Sequence, residues 1–521
     1  MARVLVTEEI AEGGLDRLRA AGHTVDVQVG LSPDELLATL PGAHALIIRS
    51  ATQVTADALA AGSDLVVVGR AGIGLDNVDV EAATARGVMV VNAPQSNVLS
   101  AAEHTMALLL SQARNVPQAN AALKEGRWER SKWEGVELAD KVLGIVGLGR
   151  IGKLVAQRAL AFGMKLVAYD PFVAPDRARQ ISVELVDLDE LIARSDFVTL
   201  HLAKTKETLG LIDADLLAKA KPSLRVINVA RGGIVDEADL ADAIRSGTIA
   251  GAALDVFAEE PTTASPLFDL DQVVVTPHLG ASTREAQDKA GDTIADMVQL
   301  ALAGDFVPFA VNVSAAEANE TLRPFLPLAE RLGRLYSSLA GGLPARLEID
   351  YRGQLADYDT RILTLSVLKG VFGAVTDQPV SYVNAPQIAE ESGVEVSSSS
   401  TASSDEYVNL VTVRGGEHAI AGTLVGPKGD PRITMIDDLA VDLPPARHLL
   451  VVRNDHRPGM IAAVTAALAA AQVNIDDMRV GHDPDGVAAM QVLATTPEVP
   501  ESVRDALRTV DGIVSVHALT D

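Results

Sequence analysis

Short apolar runs alternate with amphipathic stretches over the first 92 residues of the chain. The runs rich in β-branched residues are RVLVT, TVDVQV, ALIIRS, LVVVGR and VMVVN, and stretches such as PDELLATL and DVEAATARG separate them. This alternation is typical of parallel strands joined by crossover helices. A longer apolar segment, AAEHTMALLLSQAR, follows this first α/β unit and predicts a helix.

A second α/β unit begins at Lys141 and carries the most informative pattern of the chain. The apolar strand VLGIVG runs into Gly147-x-Gly149-x-x-Gly152, a helix follows, and the strand KLVAYD ends on Asp170. Glycines at this spacing permit a tight turn, a close approach of the backbone to a pyrophosphate, and close helix packing, while the helix N-terminus offers amides to phosphate. Asp170 lies 18 residues beyond Gly152, where a carboxylate accepts hydrogen bonds from ribose hydroxyls and repels a 2′-phosphate. The pattern predicts NAD, and not NADP, as the cofactor.

Further apolar strands follow in this second unit, namely FVTLHL, RVINVA, AGAALDVF and VVVTPH. The carboxyl ends of parallel strands face the ligand crevice of an open sheet. We therefore expect the residues at these ends to lie close together. They are Leu202, Arg231, Asp255 and His278.

Four domains are predicted, in agreement with the three or four suggested by a length of 521 residues. A helix predicted from about residue 283 to 303 packs back on the first unit, so the second unit interrupts the first. The strand-rich segment that follows contains the run Ser397–Ser404, which is predicted to be a flexible surface loop. The last segment has the order β-α-β-β-α-β of a ferredoxin-like module. The predicted boundaries are residues 1–97 with 283–315, 98–282, 316–446 and 447–521.

Composition excludes several classes of function. The chain has no cysteine, which excludes disulfides, thiolate metal sites and a cysteine nucleophile, and no metal site is predicted. The net charge of −26 argues against nucleic-acid binding, so an anionic substrate needs local arginines and lysines. No apolar stretch reaches the roughly 18 residues of a membrane span. The opening MARVLVTEE reads as a first strand, and we expect a cytoplasmic protein.

Three charged residues stand at or near the predicted crevice: Arg231, Glu260 and His278. Arg231 ends an apolar strand, where it is either a solvated loop arginine or a guanidinium that grips a carboxylate with two parallel hydrogen bonds. His278 could be a core or capping histidine, and Glu260 an exposed loop acid before Pro261. Their position at successive strand ends beside a cofactor crevice favours the functional interpretation.

These charges fit the oxidation of a secondary alcohol. In this hypothesis His278 takes the hydroxyl proton as hydride leaves carbon, and Glu260 holds the imidazole. Arg231 binds a carboxylate and polarises the oxygen that becomes a ketone. An apolar strand end suits the arginine, since its electrostatic effect is larger away from water.

The motifs GLGRIG, NVARGGIVDE, ALDVFAEEP and TPHLGAST, with RSATQVT and GRAGIGLDNVD, extend this hypothesis. With them the chain resembles, essentially end to end, the D-isomer-specific 2-hydroxyacid dehydrogenases in their long, four-domain form. The resemblance implies an α/β fold: a Rossmann NAD-binding domain inserted in a flavodoxin-like substrate domain. An α+β intervening domain and a ferredoxin-like ACT domain follow. It further implies NAD-dependent oxidation of 3-phospho-D-glycerate to 3-phosphooxypyruvate, the first step of L-serine biosynthesis, in a homotetramer inhibited by L-serine.

The resemblance also implies residue roles. Arg231, Glu260 and His278 take the catalytic roles. The NAD site comprises Ile73, Gly147, Gly149, Arg150, Ile151, Gly152, Asp170, Leu202, Val229, Ala230, Arg231, Asp255, His278, Gly280 and Ala281. The substrate is faced by Arg49, Ser50, Arg70, Ala71, Gly72 and Asn97, with Arg130 or Lys132 reaching it from a neighbouring subunit. The ACT effector site comprises Asn454, His456, Gly459, Met460, Asn474 and Ile475.

Other interpretations stay open at this point. A reductase of 2-oxoglutarate, hydroxypyruvate or glyoxylate would share every catalytic residue, although it has little need of an amino-acid sensor. A binding protein that senses NAD, of the corepressor type, would use the same fold without catalysis. The basic residues assigned to the phosphate could equally be solvated surface cations.

Overall fold

The computed structural model describes residues 1–313, 321–376, 380–404, 407–482 and 488–520. The predicted boundary between residues 315 and 316 lies outside these ranges. None of the helices in the described ranges combines the length and apolar character needed to cross a membrane.

The first unit is a five-stranded parallel sheet in the order β2-β1-β3-β4-β5. Its strands are β1 (Arg3–Val6), β2 (Thr24–Val27), β3 (Ala45–Ile48), β4 (Val67–Arg70) and β5 (Met89–Asn92). Its helices are α1 (Glu12–Ala20), α2 (Pro33–Thr39), α3 (Ala56–Ala61) and α4 (Val80–Ala85). This is the flavodoxin-like order that the resemblance implied, and its parallel strands are those that the alternating pattern predicted.

The second unit is a seven-stranded parallel sheet, entered through helices α5 (Val98–Arg114) and α6 (Val116–Lys124). Its strands are β6 (Val142–Val146), β7 (Lys165–Tyr169), β8 (Glu184–Leu185), β9 (Phe197–Leu200), β10 (Arg225–Asn228), β11 (Gly251–Leu254) and β12 (Val273–Val275). Its further helices are α7 (Arg150–Ala161), α8 (Pro175–Arg179), α9 (Leu188–Arg194), α10 (Ala214–Leu217) and α11 (Glu237–Arg245). The order β12-β11-β10-β9-β6-β7-β8 is that of a Rossmann fold with one added strand.

The chain crosses between these two units twice, before α5 and before α12 (Arg284–Ala303). As predicted, α12 returns to the first unit and packs on α1 and β4. A cleft opens between the units on the side where the strands of the second sheet end.

The third unit has a six-stranded sheet in the order β14-β13-β15-β16-β17-β18. Its strands are β13 (Arg346–Gly353), β14 (Glu395–Thr401), β15 (Asn409–Gly415), β16 (His418–Val425), β17 (Asp430–Ile436) and β18 (Leu439–Leu443). Its helices are α13 (Phe325–Ala340), α14 (Arg361–Gly373) and α15 (Ala385–Glu391), with a 3₁₀ turn at Gln354–Asp357. The prediction of a flexible loop at Ser397–Ser404 is wrong over its first half, because Ser397–Thr401 belong to β14 and pair with β13. Backbone pairing at a sheet edge leaves small hydroxyl side chains exposed, so the composition resembles that of a loop.

The last unit is the predicted ferredoxin-like module, a four-stranded antiparallel sheet in the order β20-β21-β19-β22. Its elements are β19 (His448–Asp455), α16 (Met460–Ala470), β20 (Asn474–His482), β21 (Ala488–Thr496), α17 (Glu501–Arg508) and β22 (Ile513–Thr520). Leu450, Val464 and Leu468 form a core between this sheet and its helices. Leu449 and Val492 instead join the hydrophobic core of the third unit. The last two units therefore share one apolar interior, which their separate sequence patterns did not indicate.

The third unit is also fixed to the first. The Ser381 hydroxyl donates to the carbonyl of Gly87 at 3.2 Å, and Lys369 Nζ donates to the carbonyl of Gly304 at 2.9 Å. Val383 is part of the core of the first unit. These contacts connect the C-terminal half of the chain to the first unit of the cleft.

Candidate functional site

A cleft of about 540 Å³ lies between the first and second units and receives side chains from both. Many residues predicted from the sequence line it. Those from the first unit are Arg49, Ser50, Arg70, Ala71 and Gly72, and those from the second unit are Glu260, His278 and Ala281. Asn97, directly before α5, lines the cleft as well. The structure thus brings the predicted substrate residues together with two of the three predicted catalytic residues.

Glu260 and His278 form a hydrogen-bonded pair at the cleft. Oε2 of Glu260 lies 2.5 Å from Nδ1 of His278, and Oε1 accepts the amide of Phe257 at 2.8 Å. Burial alone would raise the pKa of Glu260, but the His278 imidazole and the Phe257 amide hold it below its usual range. Because an ionised Glu260 can only accept, Nδ1 carries a proton, so in the neutral tautomer Nε2 is the atom that can accept one.

Asp255 lies under this segment and not at the surface of the cleft. Its side chain is fully buried, and it accepts the amides of Leu279 and Gly280 at 2.7 Å each. The hydroxyl of Thr276 donates to it at 2.6 Å, and Nε2 of His104 lies 3.2 Å away. Burial would raise the pKa of Asp255, but these donors lower it. These contacts show that Asp255 shapes the His278 segment, and the contact with the cofactor that the resemblance implies stays a prediction.

Arg231 lies against the first unit, beside the wall of the cleft. Its Nε is 3.2 Å from Oδ2 of Asp76, and its Nη1 donates to the carbonyl of Ala230 at 2.7 Å. The turn that presents it is held by buried Asn228, whose side chain accepts the Ala230 amide and donates to the Arg231 carbonyl, both at 3.0 Å. A guanidinium has five N–H donors, so these contacts leave others for a ligand.

Positive charge is concentrated around Arg70. Its Nε is buried without a hydrogen-bond partner, and among the described residues it forms no ion pair. Burial, together with the charges of Arg231 and Arg49, lowers the pKa of Arg70 to about 10. Asp76 and Glu8 only partly offset this repulsion. Three guanidiniums held near one another in this way form a site that an anion would stabilise.

Glu8 and Asn77, which the sequence did not single out, shape the loop that follows β3. The carboxylate of Glu8 accepts four consecutive amides of residues 49–52 at 2.8–3.1 Å. Burial would raise the pKa of Glu8, but the amides of Thr52, Ala51 and Arg49 lower it. Asn77 donates to the carbonyls of Arg49 and Thr52 at 2.9 and 2.7 Å. A lone acid and a lone amide in a loop give no periodic signal, so only the structure shows their role.

The amides after β4 are partly occupied. The Ala71 amide donates to the carbonyl of Ile48, and the Gly72 amide donates to that of Arg70, both at 2.8 Å. The amides of Ile73 and Gly74, which come next, donate to no acceptor within the described chain. Of the amides in this turn, those of Ile73 and Gly74 therefore remain available to a ligand.

The glycine motif has the geometry that a dinucleotide requires. Gly147 has φ of 95°, and a Cβ there would lie 2.5 Å from the carbonyl of His201. A Cβ on Gly152 would lie 2.2 Å from the carbonyl of Gly147, whereas the space beside Gly149 is open. No side chain caps the N-terminus of α7, so its first amides remain available to a phosphate. Asp170 accepts the amide of Leu148 at 2.8 Å, which connects the acid to the motif.

The other predicted cofactor residues come from both units. Leu202 lies against Gly147, and Val229 lies against Gly280. Arg150 reaches across to the carbonyl of Pro94 at 3.1 Å. The remaining ones are Ile151, a residue of α7 that packs against the core; Ala230, in the turn before Arg231; and Ile73, whose carbonyl accepts from Asn92 at 2.7 Å.

Arg130 and Lys132 do not line the cleft of their own chain. Lys132 is 3.0 Å from Asp271 and lies over the ring of Trp133. Arg130 is exposed. Any contribution of these two cations to the cleft must therefore come from another subunit.

A second cavity, of about 320 Å³, lies in the last unit. Asn454, His456, Gly459 and Met460 of the predicted effector site line it, together with Gln491. Gln491 is fully buried and donates to Oδ1 of Asn454 at 2.8 Å. Asn474 and Ile475 do not line this cavity within their own chain, and Asn474 donates instead to Asp476 at 2.7 Å.

Family models match three parts of the chain. Residues 106–280 match the NAD-binding domain of D-isomer specific 2-hydroxyacid dehydrogenases. Residues 321–437 match the D-3-phosphoglycerate dehydrogenase intervening domain, and residues 448–512 match the ACT domain. The predicted cofactor, NAD, and the predicted Rossmann and ACT folds are thereby confirmed.

Relatives match over nearly the whole chain. D-3-phosphoglycerate dehydrogenase of Mycobacterium tuberculosis is 48% identical over 97% of this chain and 96% of its own. The enzyme of the same name from Synechocystis is 42% identical over 100% of this chain and 95% of its own.

Solved structures match a little under three fifths of the chain. A protein from Thermus thermophilus is 36% identical with a TM-score of 0.56, over 59% of this chain and 99% of its own. D-lactate dehydrogenase of Aquifex aeolicus, solved with NAD and lactic acid, is 26% identical with a TM-score of 0.53, over 58% of this chain and 96% of its own.

Proposed function

The chain belongs to the D-isomer-specific 2-hydroxyacid dehydrogenases of the D-3-phosphoglycerate dehydrogenase type, and from this premise we propose which of its residues perform the reaction. The reaction is the NAD-dependent oxidation of 3-phospho-D-glycerate to 3-phosphooxypyruvate, the first step of L-serine biosynthesis. The four domain boundaries predicted from the sequence are part of this proposal.

His278 is the proposed general base, and its contact with Glu260 is the single observation that carries this assignment. Glu260 accepts the Nδ1 proton, which leaves Nε2 to take the proton of the substrate hydroxyl. As the imidazole becomes charged, the adjacent ionised Glu260 stabilises it. Both side chains line the cleft between the two units.

Arg231 and the amides of Ile73 and Gly74 are the proposed partners of the substrate carboxylate. Arg231 lies against Gly74, so the guanidinium and these amides can hold one carboxylate together. A cation beside the reacting carbon also polarises its oxygen as the ketone forms. In this proposal the carboxylate displaces Asp76 from Arg231.

Arg49 and Arg70 are the proposed partners of the substrate phosphate. Both line the cleft, and Arg70 combines a lowered pKa with a buried, unpartnered Nε. A phosphate dianion relieves the mutual repulsion of these guanidiniums and satisfies that donor. A 2-oxo acid without a phosphate would leave this cluster uncompensated, which disfavours 2-oxoglutarate, hydroxypyruvate and glyoxylate as preferred substrates.

NAD fits the residues of the second unit, since the open space at Gly149 and the uncapped start of α7 suit a pyrophosphate. Asp170, at the end of β7, is the proposed ribose ligand. NAD supplies the hydride acceptor for the oxidation. The protein residues orient it and hold the substrate against it.

The ACT domain implies a small-ligand effector, and we propose that this effector is L-serine. The cavity lined by Asn454, His456 and Gly459 suits an amino acid, with its ammonium and carboxylate groups. Asn474 and Ile475 lie outside the cavity of their own chain, so we propose that a second subunit supplies them. A homotetramer in the cytoplasm is the assembly and location we propose.

The experiment that tests the catalytic assignment compares His278→Ala with the unaltered enzyme. We expect kcat to fall roughly 10²–10⁴-fold while NADH binding persists, because the glycine motif is untouched. Near-normal turnover would remove His278 as the base.

The effector assignment is tested by NADH formation with and without L-serine, where His456→Ala should weaken the inhibition without altering uninhibited kcat. Turnover that does not respond to serine would exclude it as the effector.

A further inference from the structure

Helix α5 holds both ends of the segment that carries His278. At the far end of this segment, the hydroxyls of Ser100 and Thr283 are 2.8 Å apart. At its near end, Nε2 of His104 lies 3.0 Å from the hydroxyl of Thr276. Ser100 and His104 are four residues apart on one helix, so they project from the same face. Residues 276–283 are thus held at two points by one face of α5.

The contact at His104 is a defined hydrogen-bond network. The Thr276 hydroxyl donates to Asp255 at 2.6 Å, so its oxygen is free to accept from His104. Nε2 of His104 is also 3.2 Å from the same Asp255 oxygen. A proton on Nε2 therefore serves two acceptors at once. Because a fully buried carboxylate needs all of its donors, the loss of this one disturbs the rest of the network.

Asp255 transmits this contact to the backbone of His278. The carbonyl of Asp255 accepts the His278 amide at 2.8 Å, and its carboxylate accepts the amides of Leu279 and Gly280. His278 has φ of 55°, a conformation that its surroundings must maintain. The side chain of His104 is itself 19% exposed and does not line the cleft.

We propose that His104, supported by Ser100, is a positioning residue that fixes the proposed base His278 through Asp255 and Thr276. The inference rests on the proposed role of His278. Since α5 begins directly after Asn97 at the wall of the cleft, the helix connects the first unit to the catalytic segment. We therefore expect His104 to affect turnover more than dinucleotide binding, because the glycine motif lies on other elements and the supported segment contributes only part of the predicted NAD site.

Two substitutions of His104 separate positioning from simple space filling. His104→Gln offers an N–H at about the position of Nε2, whereas His104→Leu fills a similar volume without a donor. We expect kcat of His104→Gln to stay within about threefold of the unaltered enzyme and kcat of His104→Leu to fall about tenfold. The Kd for NADH, followed by its fluorescence, should change less than about twofold in His104→Gln and by a smaller factor than kcat in His104→Leu.

Gln112 provides a matched control on the same helix. It is buried, and its Nε2 donates at 2.6 Å to the carbonyl of Gln272, just before β12. Gln112→Leu should lower the Tm yet leave kcat within about twofold, because it does not touch the catalytic segment. Equal kcat values for the two His104 variants, or a Kd for NADH that rises in step with the loss of kcat, would overturn the inference.

Two further variants keep the test decisive. If His104→Leu does not fold, Thr276→Val removes the bridging hydroxyl, and an unchanged kcat in that variant would contradict the inference. His278→Ala serves as the reference. An active His278→Ala enzyme refutes the proposed base, whereas an inactive one combined with a normal His104→Leu enzyme refutes only the role of His104.

Discussion

The carboxylate of Glu260 holds the imidazole of His278 through Nδ1 at 2.5 Å and is itself held by the amide of Phe257 at 2.8 Å. This arrangement fixes both the orientation and the tautomer of the histidine. It leaves Nε2 to exchange a proton with a ligand in the cleft. The proposed assignment of His278 as base and Glu260 as orienting acid rests on this one contact.

Replacement of Glu260 by glutamine should lower kcat by about 10–100-fold. The amide keeps the size of the side chain but removes the negative charge that stabilises the imidazolium. The KM for NAD should change little, and steady-state NADH formation measures both quantities. Glu259→Gln is the control, since this neighbour is exposed and its variant should behave as the unaltered enzyme. An undiminished kcat in Glu260→Gln would refute the role of the charge.

Replacement of Asp170 by alanine should reduce the preference for NAD over NADP by at least about tenfold. The carboxylate that accepts the ribose hydroxyls and repels a 2′-phosphate would be lost. The ratio of kcat/KM values for the two cofactors is the measurement. Asp176→Ala, an exposed change on the next helix, should leave the ratio unaltered. If both variants kept the same ratio, the ribose assignment would fail.

Replacement of Arg70 by glutamine should raise the KM for 3-phospho-D-glycerate by about 10–100-fold, with little change in the KM for NAD. The variant removes the central charge of the arginine cluster around the cleft. Arg70→Lys should give an intermediate KM, because lysine keeps the charge without the planar fork. Arg86→Gln, at an exposed arginine of the same unit, is the control. A normal KM in Arg70→Gln would assign the phosphate to other residues.

Acidification should weaken the contact between the last two units at His517. Its ring is 5.7 Å from that of His418, and burial, the charge of His418 and that of Arg508 lower the pKa of His517. Asp437, which faces the same pair, raises it and only partly opposes this shift. The folded protein therefore binds this proton less readily than the unfolded chain, whose histidine pKa is about 6.5.

The free energy of folding that depends on a neutral His517 is fully available above that unfolded pKa. It is lost as the pH falls below it. We expect the urea midpoint to decrease between about pH 7.5 and 5.5, and to decrease less in His517→Leu. The difference between the two proteins isolates this histidine from the others. Equal pH dependence in both proteins would show that His517 does not contribute.

The sequence predicted the parts of the fold that depend on periodicity and on glycine. The alternating runs of the first 92 residues and the Gly147–Gly152 motif each depend on local constraints, which a single sequence displays. The edge strand at Ser397–Thr401 was predicted as a loop, because pairing through the backbone leaves no mark in side-chain composition.

The sequence singled out the proposed reacting groups of the candidate site and not the residues that support them. Arg231, Glu260 and His278 stand at strand ends that the pattern identifies. Glu8 and His104, in contrast, act through contacts with residues more than 40 and 150 positions away in the chain. Such contacts depend on the tertiary fold, and a helical histidine or a lone loop acid has no distinctive spacing.

The preference for a phosphorylated substrate is the most direct test of the proposed site. NADH formation should be measured with 3-phospho-D-glycerate and with unphosphorylated D-glycerate on the same preparation. We predict a kcat/KM at least about a hundredfold higher for the phosphorylated substrate, since the guanidiniums of the cleft pair with the phosphate. Equal or greater efficiency with D-glycerate would contradict the proposed site.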